Sequence, residues 1–124
     1  MTHAAFRQAI TSTRGESLTV ELELPPLPDA TRLDLTPYRT ELTIKPSGSN
    51  KSDDSDALCK VTANNAAHPE LSQMAFVLTL ANTAAANPAL TYVWDVWIRS
   101  GSFAIPVAAG TWQFLDCLDN QILT

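Results

Sequence analysis

The chain has 124 residues, 45% of them hydrophobic and 17% charged, with eight Lys and Arg against thirteen Asp and Glu and a formal net charge of −5. That length suits one domain whose core can hold without cross-links, and scattered cations in a negative chain argue against a nucleic-acid binder held through phosphates. No run approaches the roughly 20 apolar residues that span a bilayer, and Met1-Thr2-His3-Ala4-Ala5-Phe6 lacks the basic start and apolar centre of a secretory signal, so the expectation is a protein made in a cytoplasm with no membrane partner.

The first dozen residues read either as a strand around Phe6 to Ile10 or as an arm (1–13) that orders on docking. After Arg14-Gly15-Glu16, the residues Leu18, Val20, Leu22 and Leu24 alternate with Thr19, Glu21 and Glu23, a period of two with one dry and one wet face. Pro25, Pro26 and Pro28 end that strand, because proline donates nothing to a ladder and forces its predecessor extended; residues 25–34 then read as a stiff surface connection. Tyr38 to Lys45 predicts the next strand, with Leu42 and Ile44 inward, Glu41, Thr43 and Lys45 outward, and Pro46 closing it. Residues 47–56 carry no apolar side chain, cannot offset their ordering entropy by burial and read as a mobile loop.

Ala57 to Thr62 is a short strand, Asn64 to Glu70 a loop, and Met74 to Leu80 a strand with Phe76, Leu78 and Leu80 on one face. Ala81 to Pro88 holds alanines, a cap in Asn82 or Thr83 and a proline stop, which together predict one helical turn. The chain closes as a β-meander: Tyr92 to Arg99, a Ser100-Gly101 turn, Phe103 to Val107, then Gly110 to Phe114. About seven short strands without a dividing linker predict a single all-β domain over 1–124, an antiparallel β-sandwich with one short helical turn.

Reactive constellations are sparse. Cys59 and Cys117 stand 58 positions apart and read as reduced, half-buried thiols; with His3 and His68 they lack the close pairs of a zinc site. Asp53, Asp54 and Asp56 form a solvated acidic cluster without the glycine and terminal glutamate of an EF-hand. Asp95 would need a second carboxylate or a base to act as a catalytic acid, and reads instead as an outward group accepting bonds from Arg99 or a neighbouring loop. No serine sits in a glycine-flanked elbow and no glycine-rich loop cradles phosphate, so neither catalysis nor a cofactor is expected. Residues three apart on a strand point opposite ways, so with Trp94 in the core Trp97 lies at the surface or under a loop.

Arg14-Gly15 stands before the Leu18 to Leu24 strand, then Leu33-Asp34-Leu35-Thr36-Pro37-Tyr38 leads into Arg39 to Lys45, and Trp94-Asp95-Val96, Ser100-Gly101 and Gly110 to Phe114 follow in that order; each motif is short. Over about residues 14 to 116 that order resembles small tailed-phage virion domains, similar to the N-terminal domain of siphophage upper baseplate proteins. Pro37 replaces the family's glycine, Trp94 its tyrosine, and Cys117-Leu118-Asp119 its closing Val-Thr-Arg. The resemblance implies an immunoglobulin-like sandwich with a scaffolding role and no catalysis.

The expectation is therefore a non-enzymatic virion component in the baseplate, tail or head-tail region, made in the host cytoplasm, bound to other phage structural proteins and to copies of itself. Phe6, Trp97, Ile122 and Leu123, with Gln121, are the candidate contact residues. Competing expectations are a capsid decoration protein, a sugar-binding module using Trp97 and a calcium-loaded acidic loop, and a small hydrolase using Asp95.

Overall fold

A computed structural model describes residues 6–23, 35, 38–49, 55–63, 73–101 and 103–116. It holds strands β1 (Phe6–Arg7), β2 (Ile10–Thr13), β3 (Leu18–Glu23), β4 (Arg39–Pro46), β5 (Cys59–Thr62) and β6 (Gln73–Leu78), a helical turn α1 (Leu80–Thr83), and strands β7 (Thr91–Ser100) and β8 (Phe103–Leu115). The fold is all-β. Six strands form one sheet in the order β1-β8-β7-β4-β5, with β2 also on β8, while β3 and β6 form a second, two-stranded sheet.

Alternation places the core. Val20 and Leu22 of β3 and Met74, Phe76 and Leu78 of β6 pack against Leu42 and Ile44 of β4, Trp94, Val96 and Ile98 of β7, and Trp112 and Phe114 of β8, in one buried cluster. Trp112 stacks on Phe114 at 5.5 Å and Tyr92 meets Phe114 edge-on at 5.2 Å, so the last two strands supply most of the aromatic bulk.

The sheet is mixed rather than antiparallel. β1 and β2 run parallel to β8 in a single register, Phe6 opposite Ala108 and Ile10 opposite Trp112. Counted as one strand broken at Gln8 and Ala9, they make seven strands among the described residues; counted apart, eight. The break has a physical cause. Trp94 lies in the core with an indole N–H that needs an acceptor, and the Gln8 carbonyl takes it at 3.2 Å. That carbonyl lies over Gly110, where a β-carbon would stand 1.7 Å from the Gln8 oxygen and 2.8 Å from Trp94 Nε1. Four residues on, Trp112 Nε1 donates to Ser12 Oγ at 2.9 Å. Both buried indoles are thus completed by the N-terminal strand.

On its other edge β8 pairs antiparallel with β7, and the register shifts by one between Val96, opposite Ala108, and Trp97, opposite Pro106. The extra residue is Val107. Pro106, which has no N–H to give, sits beside this bulge, where a ladder bond is already missing.

Three local expectations change. β6 ends at Leu78, because Thr79 turns the chain: its N–H donates to Asn82 Oδ1 at 2.7 Å, making Thr79 the N-cap and Asn82 the residue that reaches back to it. Leu80 therefore leaves the inner face and is 53% exposed. Thr83 is no cap but a buried side chain whose Oγ1 accepts the Gly15 N–H at 2.9 Å, where Gly15 turns with φ +77°. Residues 25–34, 64–70 and 50–54 lie outside the described residues, so the stiff connection and most of the mobile loop do too. The loop's described ends are tied by a Ser49 Oγ to Asp56 Oδ2 hydrogen bond.

Gly110→Ala should cost about 2–3 kcal/mol, since relief of so close a clash requires β1 to leave β8. Urea unfolding should show it, with amide exchange accelerating along residues 8–12. Loss of stability without faster exchange there would mean that β8, not β1, yields.

Candidate interaction surface

The side chains of the large sheet that point away from the core form one outer face. Cross-strand register sets its rows: Arg39 beside Arg99; Thr62, Glu41, Trp97 and Pro106; Lys60, Thr43, Asp95 and Ala109; then Lys45, Val93 and Thr111. Glu41 was expected to be a wet residue, yet it is only 8% exposed. Its neighbours cover it. Arg99 Nε donates to Oε1 at 2.6 Å, Arg39 approaches the same oxygen at 3.5 Å, and Lys60 Nζ stands 3.7 Å from Oε2. Three long cationic stems folding over one carboxylate shield it from water while their heads stay wet. Thr43 is buried in the same way between Lys60 and Asp95.

Trp97 lies on this face, half-buried, with the Arg99 guanidinium 5.3 Å from its ring centroid. Arg99 thereby joins a carboxylate and an aromatic ring, the geometry its flat, delocalised charge favours. The expectation that Arg99 would bond Asp95 is corrected: Asp95 stands one row further along β7, beyond the guanidinium's partner Glu41.

Below this cluster the face dips into an open cleft of about 370 Å³ lined by Thr43, Lys45, Val93, Trp94, Asp95, Ala109, Gly110 and Thr111. Small side chains on β8 make the depression: Ala109 and Thr111, the outward residues on either side of Gly110, rise less from the sheet than Val93 and Lys45 do. Asp95 is the one carboxylate among these lining residues, and Lys45 the one cation.

Of the other contact candidates, Phe6 belongs to β1 with its backbone opposite Ala108, while Gln121, Ile122 and Leu123 lie outside the described residues. His3, His68, Asp53, Asp54 and Cys117 lie outside them as well. Among the described residues no three His, Cys, Asp or Glu side chains are grouped to hold a metal ion, and no helix is long and apolar enough to cross a membrane. Cys59 is a free thiol at the start of β5, packed against the core, and burial pushes its pKa up to about 11. The Arg39, Glu41, Lys60 and Arg99 cluster was missed in the sequence, where its members are spread over 60 positions; only the pairing of β4 with both β5 and β7 unites them.

Comparison of the sequence with known protein families and with curated proteins finds no match.

Glu41→Gln should lower stability by about 1 kcal/mol, leaving three cations facing each other over a neutral amide. Repulsion among exposed heads is screened, so the deficit measured by urea unfolding should shrink as salt rises from about 50 to about 500 mM. An equal deficit at both concentrations would assign the loss to packing instead of charge. For Cys59 the folded pKa lies above the unfolded one. Its contribution to stability is therefore whole below pH 9.0 and lost as pH rises toward about 11. In a Cys117→Ser background, thiolate absorbance should titrate near 11 when folded and near 9.0 when denatured; coincident curves would mean that the thiol is open to water.

Proposed function

We propose that this chain is a non-enzymatic structural component of a tailed-phage virion, an immunoglobulin-like domain that works through protein-protein contacts. The observation that carries it is the strand order. Lettered as in an immunoglobulin domain, β3 and β6 take the places of strands B and E in one sheet, and β4, β7 and β8 those of C, F and G in the other, with β5 as the C′ strand of the variable type.

A second observation supports that reading. Tyr92 stands near the start of β7 and its hydroxyl accepts the Asn87 N–H at 2.9 Å, the hydrogen bond of a tyrosine corner. Two residues further on, where antibody domains place the second cysteine of their inter-sheet disulfide, this chain has Trp94. Its indole fills the centre of the core without a cross-link.

The motif order from Arg14 to Phe114 implies the same architecture, and fold likeness with motif order, not a reactive site, supports the virion role. The surface agrees with a binding domain. The outer face of the large sheet presents an aromatic ring, paired charges and a shallow cleft, the mixture found where proteins meet. A sugar-stacking role for Trp97 has less support, because Arg99 already occupies one side of its ring.

Mass spectrometry of gradient-purified phage particles from a culture producing this chain tests the proposal. Its peptides should appear at a fixed ratio to the major capsid protein, and particles made with Trp97→Ala should contain several-fold less of it. A ratio of a few copies per particle would fit a baseplate or tail position, and a ratio near one per capsid subunit would shift the role to decoration. Clean particles lacking the chain would overturn it.

A further inference from the structure

The N-terminal strand is fastened differently from the rest of the large sheet. Among the described residues β1 and β2 pair with no strand but β8, while β8, β7 and β4 are each paired along both edges. Residues 8–13 put little into the core: Ser12 is buried, Ile10 and Thr13 are half-buried, and Gln8, Ala9 and Thr11 are exposed. Their hold on β8 is mainly hydrogen bonding. It consists of the parallel ladder, the Gln8 N–H to the Ala109 carbonyl at 3.1 Å, and the two indole bonds to the Gln8 carbonyl and Ser12 Oγ. Hydrogen bonds to protein are exchanged for bonds to water at modest net cost, whereas exposing apolar surface is not so offset. This segment therefore detaches more readily than β4, β7 or β8.

Its connection can straighten. Residues 14–17 carry the chain from β2 on the large sheet to β3 on the small one, and the turn is clipped to α1 and to itself. The Gly15 N–H donates to Thr83 Oγ1 at 2.9 Å, Thr83 Oγ1 donates to the Glu16 carbonyl at 3.4 Å, Arg14 Nη1 donates to the Ala84 carbonyl at 3.3 Å, and the Glu16 N–H donates to the Thr13 carbonyl at 3.1 Å. Gly15 holds φ +77° in this turn, and a glycine takes up an extended backbone as readily.

Detachment leaves the outer edge of β8 unpaired and removes the acceptors of Trp94 and Trp112. The strand that restores them must run parallel to β8, turn one carbonyl inward over Gly110 and carry a hydroxyl four residues later, as Gln8 and Ser12 do. We infer that the β8 edge also takes this strand from a second copy: two chains exchange residues 6–13, each completing the other's core. Fit selects the occupant, since the pair repeats the bonds of the single chain and only the link over 14–17 changes. The exchange is reciprocal and closes as a two-fold dimer, the low-cost route that swapping of an identical element provides. The inference goes beyond the structural-component reading and does not depend on it.

Disulfide trapping between full-length chains tests it. In a Cys59→Ala, Cys117→Ser background, one chain carries Thr11→Cys and another Gln113→Cys, positions directly opposite across β2 and β8 and within disulfide reach. The two are incubated together from about 10 μM to about 1 mM, in urea below the unfolding transition to speed opening, and then mildly oxidised; the yield of joined chains should rise with concentration. Peptide mass spectrometry should place the bond between positions 11 and 113. Adding Thr83→Val, which removes the Gly15 clip, should raise the initial rate of joining several-fold, and a chain carrying both cysteines, oxidised before mixing, should no longer dimerise. Circular dichroism confirms that each variant is folded; should the first pair fail, Thr13→Cys with Leu115→Cys takes its place. Mixed chains that never join although the doubly substituted chain closes its own disulfide, dimers that form despite that lock, or a rate indifferent to Thr83→Val would overturn the inference. Exchange by a chain absent from purified particles would leave it standing and remove the virion role alone.

Discussion

The structure depends on how two buried indole N–H groups are satisfied. A tryptophan brings the largest apolar surface of any side chain and one donor that cannot be left empty in the core. Trp94 and Trp112 both face inward from the C-terminal hairpin, where neighbouring backbone is already committed to the β7–β8 ladder. Their acceptors come from the other end of the chain, Gln8 carbonyl and Ser12 Oγ. The first strand therefore completes the core chemically as well as covering the edge of β8. Gly110 is the allowance for this arrangement, since the turned Gln8 carbonyl occupies the space a side chain would need. A parallel strand joined to its partner through almost the whole sequence is also a costly contact to form early. The hairpin that makes the platform should precede it in folding.

With β8 held on both edges, the outer face acquires a fixed geometry. β7 is the middle strand of that face, and its residues divide cleanly: Tyr92, Trp94, Val96 and Ile98 inward, Val93, Asp95, Trp97 and Arg99 outward. The bulge at Val107 does not disturb this division in β7, because the extra residue is on β8. It does set Pro106 opposite Trp97, so a rigid, donor-free residue lies beside the ring instead of a long polar one. Arg99 then has room to span from the ring to Glu41. One guanidinium satisfies an otherwise buried carboxylate and holds an aromatic face, and this makes the cluster a single unit rather than a set of separate surface pairs.

Much of this was legible in the sequence, for a specific reason. Periodicity reports which face of a strand is dry, and β3, β4 and β7 show it in Val20, Leu22, Leu42, Ile44, Trp94 and Val96. It reports nothing about which strand lies alongside or in which direction, so the parallel pairing of residues 6–13 with 108–115 could not be read. Nor does it separate a residue that is wet from one covered by its own charged neighbours, as Glu41 is. The end of β6 was misplaced because Leu80 continues the apolar alternation. Capping by Thr79 and Asn82 overrides that alternation with hydrogen bonds the pattern does not encode. Asp95 was given the wrong partner through proximity in sequence, where Arg99 is four residues away, while across the sheet Glu41 is directly opposite Trp97.

The alternation along β7 separates the residues that hold the fold from those that set its surface. Trp94 and Trp97 are three residues apart and alike in chemistry, yet the first is bound into the core by a hydrogen bond and close packing, while the second touches mainly Arg99 and the strand edges around it. Substitution at Trp94 acts on stability first and on the surface only through it. Substitution at Val77, which is 61% exposed, removes little buried area and leaves both indole donors satisfied, so it acts on the surface. A low overall charge sharpens that separation. With only 17% charged residues, each outward charge weighs heavily on the local surface potential, while the alternating apolar residues beneath it are untouched by its exchange. The inward pattern that specifies the fold and the outward pattern that sets the surface are thus written on alternate residues of the same strands, and each can vary while the other is held.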